Sequence, residues 1–251
     1  MKIDGDLLGI ENGSFLGFDA EWTKNYKVKN GNTPFCFSIV SVPLTRLDTN
    51  TLAAGMVTFK YVQYYCENKD ELTDLLRHAD MWCRLLLNSL ETSYLCGHQL
   101  SSDLSVLYNA GKTIELELVN VKELHEKWMI RKSNQVNIID TRYDICKPFL
   151  GKSRRLVDMC NDFNLCVSQL ELGNQSMTKL QNQFYLTNDF KIRERISVLN
   201  LRHSLSTVLL ASMNTLKTPN SFIVNVNKMI YCSLAGNNSW VNSDIFQELI
   251  L

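Results

Sequence analysis

The sequence predicts a mixed α/β domain in which helices cover a sheet, and three observations support this prediction. Runs rich in aromatic and β-branched residues at 14–22, 34–42 and 56–65 lie close enough together to form three antiparallel strands. A longer run at 69–91 repeats its apolar residues at helical spacing. Shorter strand and helix patterns then alternate. Antiparallel strands at the start of the chain, followed by alternating strands and helices, indicate a sheet that contains both antiparallel and parallel strands.

The elements after the long helix are predicted one by one. The residues SYLCGH at 93–98 suit a short strand, and 101–111 suits a helix with Ser101 as its N-cap and Gly111 at its end. The later elements are a helix at 121–132, a strand at 135–141, an amphipathic helix at 152–165 and a long helix at 189–214. The second half of the chain is therefore expected to be mostly helical.

The length and composition of the chain favour one main domain. A chain of 251 residues, 45% of them hydrophobic, can bury one large core. We place this domain at 1–214. The C-terminal segment at 215–251 carries no pattern that indicates chemistry. We expect it to form either a hairpin or an extension that binds a protein partner.

Charge and cysteine content exclude several classes of protein. Lysine plus arginine and aspartate plus glutamate each number 26, so the net charge is zero and a site for a polyanion would have to be local. Eight cysteines lie scattered without a CxxC pair, and the chain opens with MKIDGD rather than a signal-peptide pattern. No apolar run reaches the roughly 18 residues of a membrane helix. We therefore expect a cytoplasmic protein with reduced thiols and no membrane partner.

The end of the first predicted strand carries two carboxylates, Asp19 and Glu21, in the stretch FLGFDAEW. Residues two apart on a strand point to the same side, so both acids face one place. Two carboxylates held close together repel each other unless a cation or a proton lies between them. Divalent metals such as Mg²⁺ and Mn²⁺ prefer hard oxygen ligands, so this pair predicts a metal site.

Two further polar stretches fall at the ends of predicted elements. In CGHQLSSDLSVL, Asp103 lies on the first turn of a helix, where it could cap that helix or turn back to the sheet edge. His98 precedes the same helix, and its default role is a hydrogen bond to a loop carbonyl. In RHSLSTVLLAS, His203 lies on the long helix among apolar residues. The order of the three stretches is more informative than any one of them.

The stretches FDAEW, GHQLSSDLSVL and IIDT resemble the first two motifs, and the strand after them, of the DEDD superfamily of 3′-to-5′ exonucleases. The resemblance covers about residues 14–214, and the Gly-His-x-x-x-x-Asp pattern is its most specific part. It implies a ribonuclease H-like fold. It also implies that Asp19, Glu21 and Asp103 hold two Mg²⁺ or Mn²⁺ ions, which would promote hydrolysis at the 3′ end of DNA or RNA.

The third motif is atypical in this chain. His203 is the candidate general base, because an ordinary imidazole pKa near 6.5 suits proton transfer at neutral pH. The family carries a fourth Asp five positions after a His or four after a Tyr, but those positions counted from His203 are Val208 and Thr207. Asn200 lies one turn before His203 and could offer a carbonyl oxygen to a metal. Thr207 could offer a hydroxyl.

Candidate contacts to nucleic acid flank the acids. Trp22 follows Glu21 and could stack on a terminal base, although packing is its default role. Lys152, Arg154 and Arg155 form the densest basic run and could contact phosphates, with a solvated helix start as the alternative. We place His98 with them as a candidate substrate contact.

Two functions remain open from the sequence. The first is a divalent-metal-dependent 3′-to-5′ exonuclease that releases nucleoside monophosphates. The second is a degenerate nuclease fold that grips a nucleic-acid end or a protein partner without cutting. We prefer the first, because Asp19, Glu21 and Asp103 would destabilise a site that left their charges uncompensated. No G-x-S-x-G, P-loop or dinucleotide-binding pattern supports other chemistry.

Overall fold

The computed structural model describes residues 1–7, 9–145, 154–169, 175–218 and 221–250. Its strands are β1 (Lys2–Asp6), β2 (Ser14–Thr23), β3 (Thr33–Pro43), β4 (Lys60–Tyr65), β5 (Tyr94–Gly97), β6 (Ile138–Asp140), β7 (Leu165–Cys166) and β8 (Val224–Asn225). The first six form one sheet in the order β1-β4-β3-β2-β5-β6, and β7 pairs in parallel with β8. Strands β2, β3 and β4 are antiparallel neighbours, whereas β2, β5 and β6 run parallel.

The helices are α1 (Thr49–Ala53), α2 (Leu72–Ser89), α3 (Leu100–Thr113), α4 (Val119–Ile130), α5 (Thr141–Asp144), α6 (Leu156–Asp162), α7 (Met177–Thr187), α8 (Phe190–Thr215), α9 (Val226–Leu234) and α10 (Asp244–Gln247). Several begin at a polar side chain that accepts a hydrogen bond from the first turn, as Ser176 does for α7 and Asp189 for α8. The predicted α/β class and the three antiparallel strands at its start are confirmed.

Some elements differ from the sequence prediction. Strand β1 was not predicted, and it extends the sheet by pairing antiparallel with β4. Helix α7 was also not predicted. Ser101 does not cap α3, because this helix begins one residue earlier, after Gln99 in a left-handed conformation. Of the helix predicted at 152–165, the first two residues lie outside the described part of the chain.

Helices cover both faces of the sheet. Leu16 and Phe18 of β2 point toward α2, α3 and α4 and share one apolar cluster with them. The alternate residues of β2 point toward α8, which packs along β2 and β3. Gly17 allows this close approach, since a Cβ there would lie 2.3 Å from the Ser204 carbonyl oxygen. Helix α8 therefore runs directly beneath the strand that carries Asp19 and Glu21.

The C-terminal segment packs on the far side of α8 and contains helix α9, so the hairpin, one of the two alternatives expected for it, does not form there. Val226, Met229 and Phe246 are buried in the same cluster as Val208 and Leu209 of α8. Because the sheet covers one side of α8 and this segment covers another, most residues of α8 from Ile196 onward are buried. This segment is thus part of the core. Among the described helices, none has the length and apolarity that crossing a membrane requires.

Candidate metal centre

Asp19, Glu21 and His203 converge where β2 passes over α8. His203 Nδ1 lies 3.1 Å from Glu21 Oε1 and 3.6 Å from Asp19 Oδ2. One potential ligand atom from each residue lies within 4.8 Å of the others. The period of two along β2 gives both acids one direction, and the close approach of α8 at Gly17 brings His203 to them. The structure therefore brings together three of the residues that the sequence singled out.

His203 interacts electrostatically with both acids. Burial alone would lower the pKa of His203, but its hydrogen bonds and attraction to Asp19 and Glu21 outweigh burial and raise this pKa to about 10. Burial raises the pKa of Glu21, and the hydrogen bond from His203 opposes that rise. An imidazolium offsets one of the two negative charges, which leaves a net negative charge at the site.

Asn200 holds Asp19 through its amide nitrogen. Asn200 Nδ2 donates to Asp19 Oδ2 at 2.7 Å and to the Asp19 carbonyl oxygen at 3.1 Å. Its Oδ1 accepts from Gln63 Nε2 at 2.8 Å and from Cys36 Sγ at 3.3 Å. Gln63 Nε2 also donates to the Ser197 carbonyl at 2.9 Å, which fixes Gln63 as the donor and so orients the Asn200 amide. Asn200 therefore does not present its oxygen to a metal, contrary to the sequence expectation.

Asp103 lies beside the same acids on the first turn of α3. Strand β5 ends at Gly97, so the later part of β2 has no strand partner on that side. The backbone N–H of Ala20 donates to the Asp103 carboxylate there. Burial, followed by the charges of Asp19 and Glu21, raises the pKa of Asp103 well above its usual range. The predicted third acid is therefore close to the other two, in a setting that favours its protonated form.

Asp140, the acid of the IIDT stretch, anchors the start of α3. Its Oδ1 accepts the N–H of Gln99 at 2.9 Å, and its Oδ2 accepts the N–H of Leu100 at 3.0 Å and Trp128 Nε1 at 2.9 Å. This carboxylate performs the capping expected of Ser101, and it holds Gln99 at a φ of +64°. Asp140 is fully buried and its role is to position the helix that carries Asp103.

His98 is a partly buried neighbour of the acids. The Thr141 hydroxyl donates to the Gly97 carbonyl at 3.1 Å, so it accepts from His98 Nδ1, 2.9 Å away. Burial lowers the pKa of His98 to about 4, which keeps the ring neutral. Its partner is thus the hydroxyl of the first residue of α5 and not the loop carbonyl that the default role predicted. The negative charge of Asp19 acts on the His98 ring and partly opposes the lowering of its pKa.

The basic run divides between two environments. Arg154 Nη1 donates to the Arg142 carbonyl at 3.0 Å, next to the strand end that carries His98. Arg155 is exposed and pairs with Asp158 of α6 through two hydrogen bonds of 2.9 Å. Lys152 lies outside the described residues. Of the two described residues of the run, Arg154 therefore lies near the site, whereas Arg155 faces solvent with its charge already paired.

Thr207 does not contribute to the cluster. Its hydroxyl donates to the Ser204 carbonyl at 2.8 Å, within its own helix, and the residue is fully buried. Val208 packs in the apolar cluster under β2. Neither position that follows His203 at the family spacing supplies a ligand atom. Of these three positions on α8, His203 is the one that lies beside Asp19 and Glu21.

Trp22 lies between two clefts next to the acids. Trp22 follows Glu21 at a shift in the register between β2 and β3. One cleft, of about 440 Å³, is lined by Glu21, Trp22, Lys24, Tyr26 and Thr178. The other, of about 310 Å³, is lined by Trp22, Asn30, Asn32, Ser102 and Asn109. The half-buried indole thus contributes a wall to both.

Three residues of the site were missed by the sequence reasoning. Gln63 and Cys36 orient Asn200, and Gln169 Nε2 lies 3.0 Å from His203 Nε2. A glutamine inside the apolar strand KYVQYY was the one available signal for Gln63. Gln169 lies in a segment without a pattern.

Comparison of the chain with protein-family models, with curated proteins and with solved structures gave no match. What the site can do is therefore inferred from its own residues. Asp19 Oδ2 and Glu21 Oε1 face His203, which leaves each carboxylate a second oxygen. Oxygen donors with one imidazole nitrogen suit Mn²⁺ and Mg²⁺, so the donor set fits a divalent cation.

Proposed function

We propose that this protein is a divalent-metal-dependent 3′-to-5′ exonuclease with a ribonuclease H-like fold. The observation that carries the proposal is the convergence of Asp19, Glu21 and His203 within 4.8 Å, beside Asp103, at the edge of a mixed sheet. The residues that carry the motif resemblance lie far apart in sequence. Their proximity in the folded chain supports the resemblance.

Asp19, Glu21 and His203 would hold one Mg²⁺ or Mn²⁺, and Asp103 is the neighbouring carboxylate available for a second. A bound cation would polarise the scissile phosphate and lower the pKa of an attacking water. The chain supplies the positioning. Asn200 fixes the rotamer of Asp19, and Asp140 fixes the helix that carries Asp103.

His203 takes a different role from the one expected at the sequence level. In the family pattern a His or Tyr precedes a fourth acid, but here His203 directly contacts Glu21. We assign its Nδ1 to the ligand set in place of that acid. A nitrogen ligand favours Mn²⁺ over Mg²⁺, since Mg²⁺ prefers carboxylate, carbonyl and water oxygens.

The second candidate is a nucleic-acid-end binding module that does not cut. It is favoured by the internal compensation of the acids, since His203 and Asn200 stabilise Asp19 without any metal. A site that is partly balanced by its own residues can persist without catalysis. Hydrolysis assays separate the two candidates.

The test follows a 5′-labelled oligonucleotide in 5 to 10 mM Mg²⁺ or Mn²⁺ (about the range that saturates weak oxygen sites). Wild type should shorten it stepwise from a free 3′ hydroxyl, and a 3′-phosphate block should prevent this. Asp19→Asn and Glu21→Gln should abolish shortening, whereas Glu126→Gln, an exposed control on α4, should not. Hydrolysis that persists in both site variants, or begins at the 5′ end, would overturn the proposal. No hydrolysis with either metal would favour the binding module.

A further inference from the structure

We infer that the β2–β3 loop at 24–32, with the two clefts beside Trp22, binds single-stranded nucleic acid. This inference rests on the proposed function, because the clefts adjoin the same acids, and it names the form of the substrate. It assigns a binding surface to residues outside the metal centre.

The loop is locally basic in a chain of zero net charge. It contains Lys24, Lys27 and Lys29 and no acid between 24 and 32. All three lysines are exposed, and Lys24 is close enough to Glu21 to lower the pKa of that carboxyl by electrostatic attraction. Three exposed cations next to a cluster of acids would offset the repulsion between those acids and phosphates.

The loop also presents aromatic surface. Tyr26 is 88% exposed, although a tyrosine usually buries most of its ring. It lines the larger cleft together with Trp22 and Glu21. Two aromatic rings on the walls of one cleft offer stacking surfaces for bases, and base stacking tolerates any sequence.

The smaller cleft on the other side of Trp22 is lined mainly by amides and hydroxyls. Asn30, Asn32, Ser102 and Asn109 provide donors and acceptors there. Unpaired bases expose such groups on their edges, whereas paired bases do not expose their Watson–Crick edges. Both volumes lie in or near the range of ligand sites. The pair of clefts therefore suits unpaired nucleotides.

Hydrogen bonds hold the loop in shape. Lys24 N–H donates to Thr178 Oγ1 of α7 at 3.2 Å, and Asn25 N–H donates to Asn32 Oδ1 at 3.2 Å. Gly31 N–H donates to the Val28 carbonyl at 3.0 Å. A pre-organised loop loses less conformational entropy when it binds a strand.

The experiment measures binding by fluorescence anisotropy in EDTA, which separates it from hydrolysis. The probes are labelled dT12, rU12 and a blunt 12-bp duplex (a length within the roughly 4 to 16 nucleotides that one single-strand-binding fold covers). Wild type should bind both single strands more tightly than the duplex. The ratio between dT12 and rU12 tells which sugar the surface prefers.

Two variants locate the surface. Replacing Lys24, Lys27 and Lys29 by Ala should lower the slope of log K against log[salt] by about 2, since each phosphate contact on a single strand contributes about 0.7. Tyr26→Ala should weaken binding about 5- to 100-fold, the effect of losing one stacked base. Replacing Lys122, Lys191 and Lys228 by Ala provides a charge-matched control that should change the slope less.

The outcomes distinguish this inference from the proposed function. Tight single-strand binding that depends on the loop supports the inference even if the protein cuts nothing. It is overturned if wild type binds no probe, if the duplex binds as tightly as dT12 and rU12, or if the loop and control triple variants behave alike. Thermal unfolding confirms that each variant folds, and all substituted side chains lie on exposed or partly exposed positions.

Discussion

The amide nitrogen of Asn200 lies 2.7 Å from Oδ2 of Asp19, the same oxygen that lies 3.6 Å from His203 Nδ1, so two side chains one turn apart on α8 hold this acid of the candidate metal centre. Asn200→Asp would place a second carboxylate against Asp19 in a buried site. We expect the free energy of unfolding in EDTA to fall by roughly 3–5 kcal/mol. Mn²⁺ should restore part of it, because a cation between the two acids relieves their repulsion.

Thermal unfolding with and without Mn²⁺ checks this prediction. Asn227→Asp is the matched control, since Asn227 is also a fully buried asparagine but lies on α9, away from the acids. The control should be destabilised without rescue by the metal. Equal behaviour of the two variants would show that Asn200 does not border a cation site.

Thr207→Asp should not create a working fourth ligand. The Thr207 hydroxyl bonds to its own helix, and the residue is fully buried. A carboxylate there would be desolvated without a partner, so we expect a loss of stability of about 3 kcal/mol or more and no gain in Mn²⁺ affinity. Isothermal titration with Mn²⁺ and urea unfolding measure both. A tighter metal site in this variant would contradict the position described for Thr207.

The stability of the metal-free protein should fall as the pH becomes alkaline. The folded pKa of His203, about 10, lies above its ordinary value of 6.5. Its stabilising contribution is therefore complete below pH 6.5 and is lost as the pH rises through 10. Glu21 and Asp103 act in the same direction because their pKa values are also raised in the folded protein.

Urea unfolding in EDTA at pH 6.5, 8 and 10 (values that span the shift of His203) measures this dependence. Over this pH range the free energy of unfolding should fall by an amount on the order of a few kcal/mol. His203→Gln should be less stable at pH 6.5 and should lose less stability toward pH 10. A wild-type stability that stays constant over this interval would argue against the ion pair with Asp19 and Glu21.

Asp140→Asn should loosen the start of α3. The asparagine side chain keeps one acceptor oxygen, but its NH₂ group replaces the other oxygen and meets N–H donors that need an acceptor. We therefore expect the free energy of unfolding to fall by about 2–4 kcal/mol. Hydrogen exchange should show faster exchange of the Gln99 and Leu100 amides. Asp144→Asn, which removes the bidentate partner of Arg131 nearby, is the control and should affect those two amides less.

The local sequence was enough to predict the two acids at the end of β2. It was not enough to predict the side chains that hold these acids in place. The period of two placed Asp19 and Glu21 on one face without any knowledge of distant residues. The orientation of Asn200 depends on Gln63, 137 positions away, so no local pattern reports it. The ion pair between His203 and the two acids could not be predicted for the same reason. Whether the acids need a metal depends on how close α8 brings His203, and that distance follows from Gly17.

The C-terminal segment illustrates a second limit. Its short apolar runs fit a hairpin as well as a helix, since periodicity over few residues does not separate the two. Packing decides the outcome, because α8 presents Val208 and Leu209 on a side that the sheet does not cover. The residues around Met229 fill that side as a helix.

Mn²⁺ binding tests the central claim most directly. Electron paramagnetic resonance of free Mn²⁺, titrated with protein near pH 8, reports binding without any substrate. We predict at least one bound Mn²⁺ per chain, displaced only by a large excess of Mg²⁺, and a loss of affinity of at least about tenfold in Asp19→Asn, Glu21→Gln and His203→Ala. Glu126→Gln should bind as wild type does. Equal Mn²⁺ affinity in wild type and in the three site variants would contradict a metal centre at Asp19, Glu21 and His203.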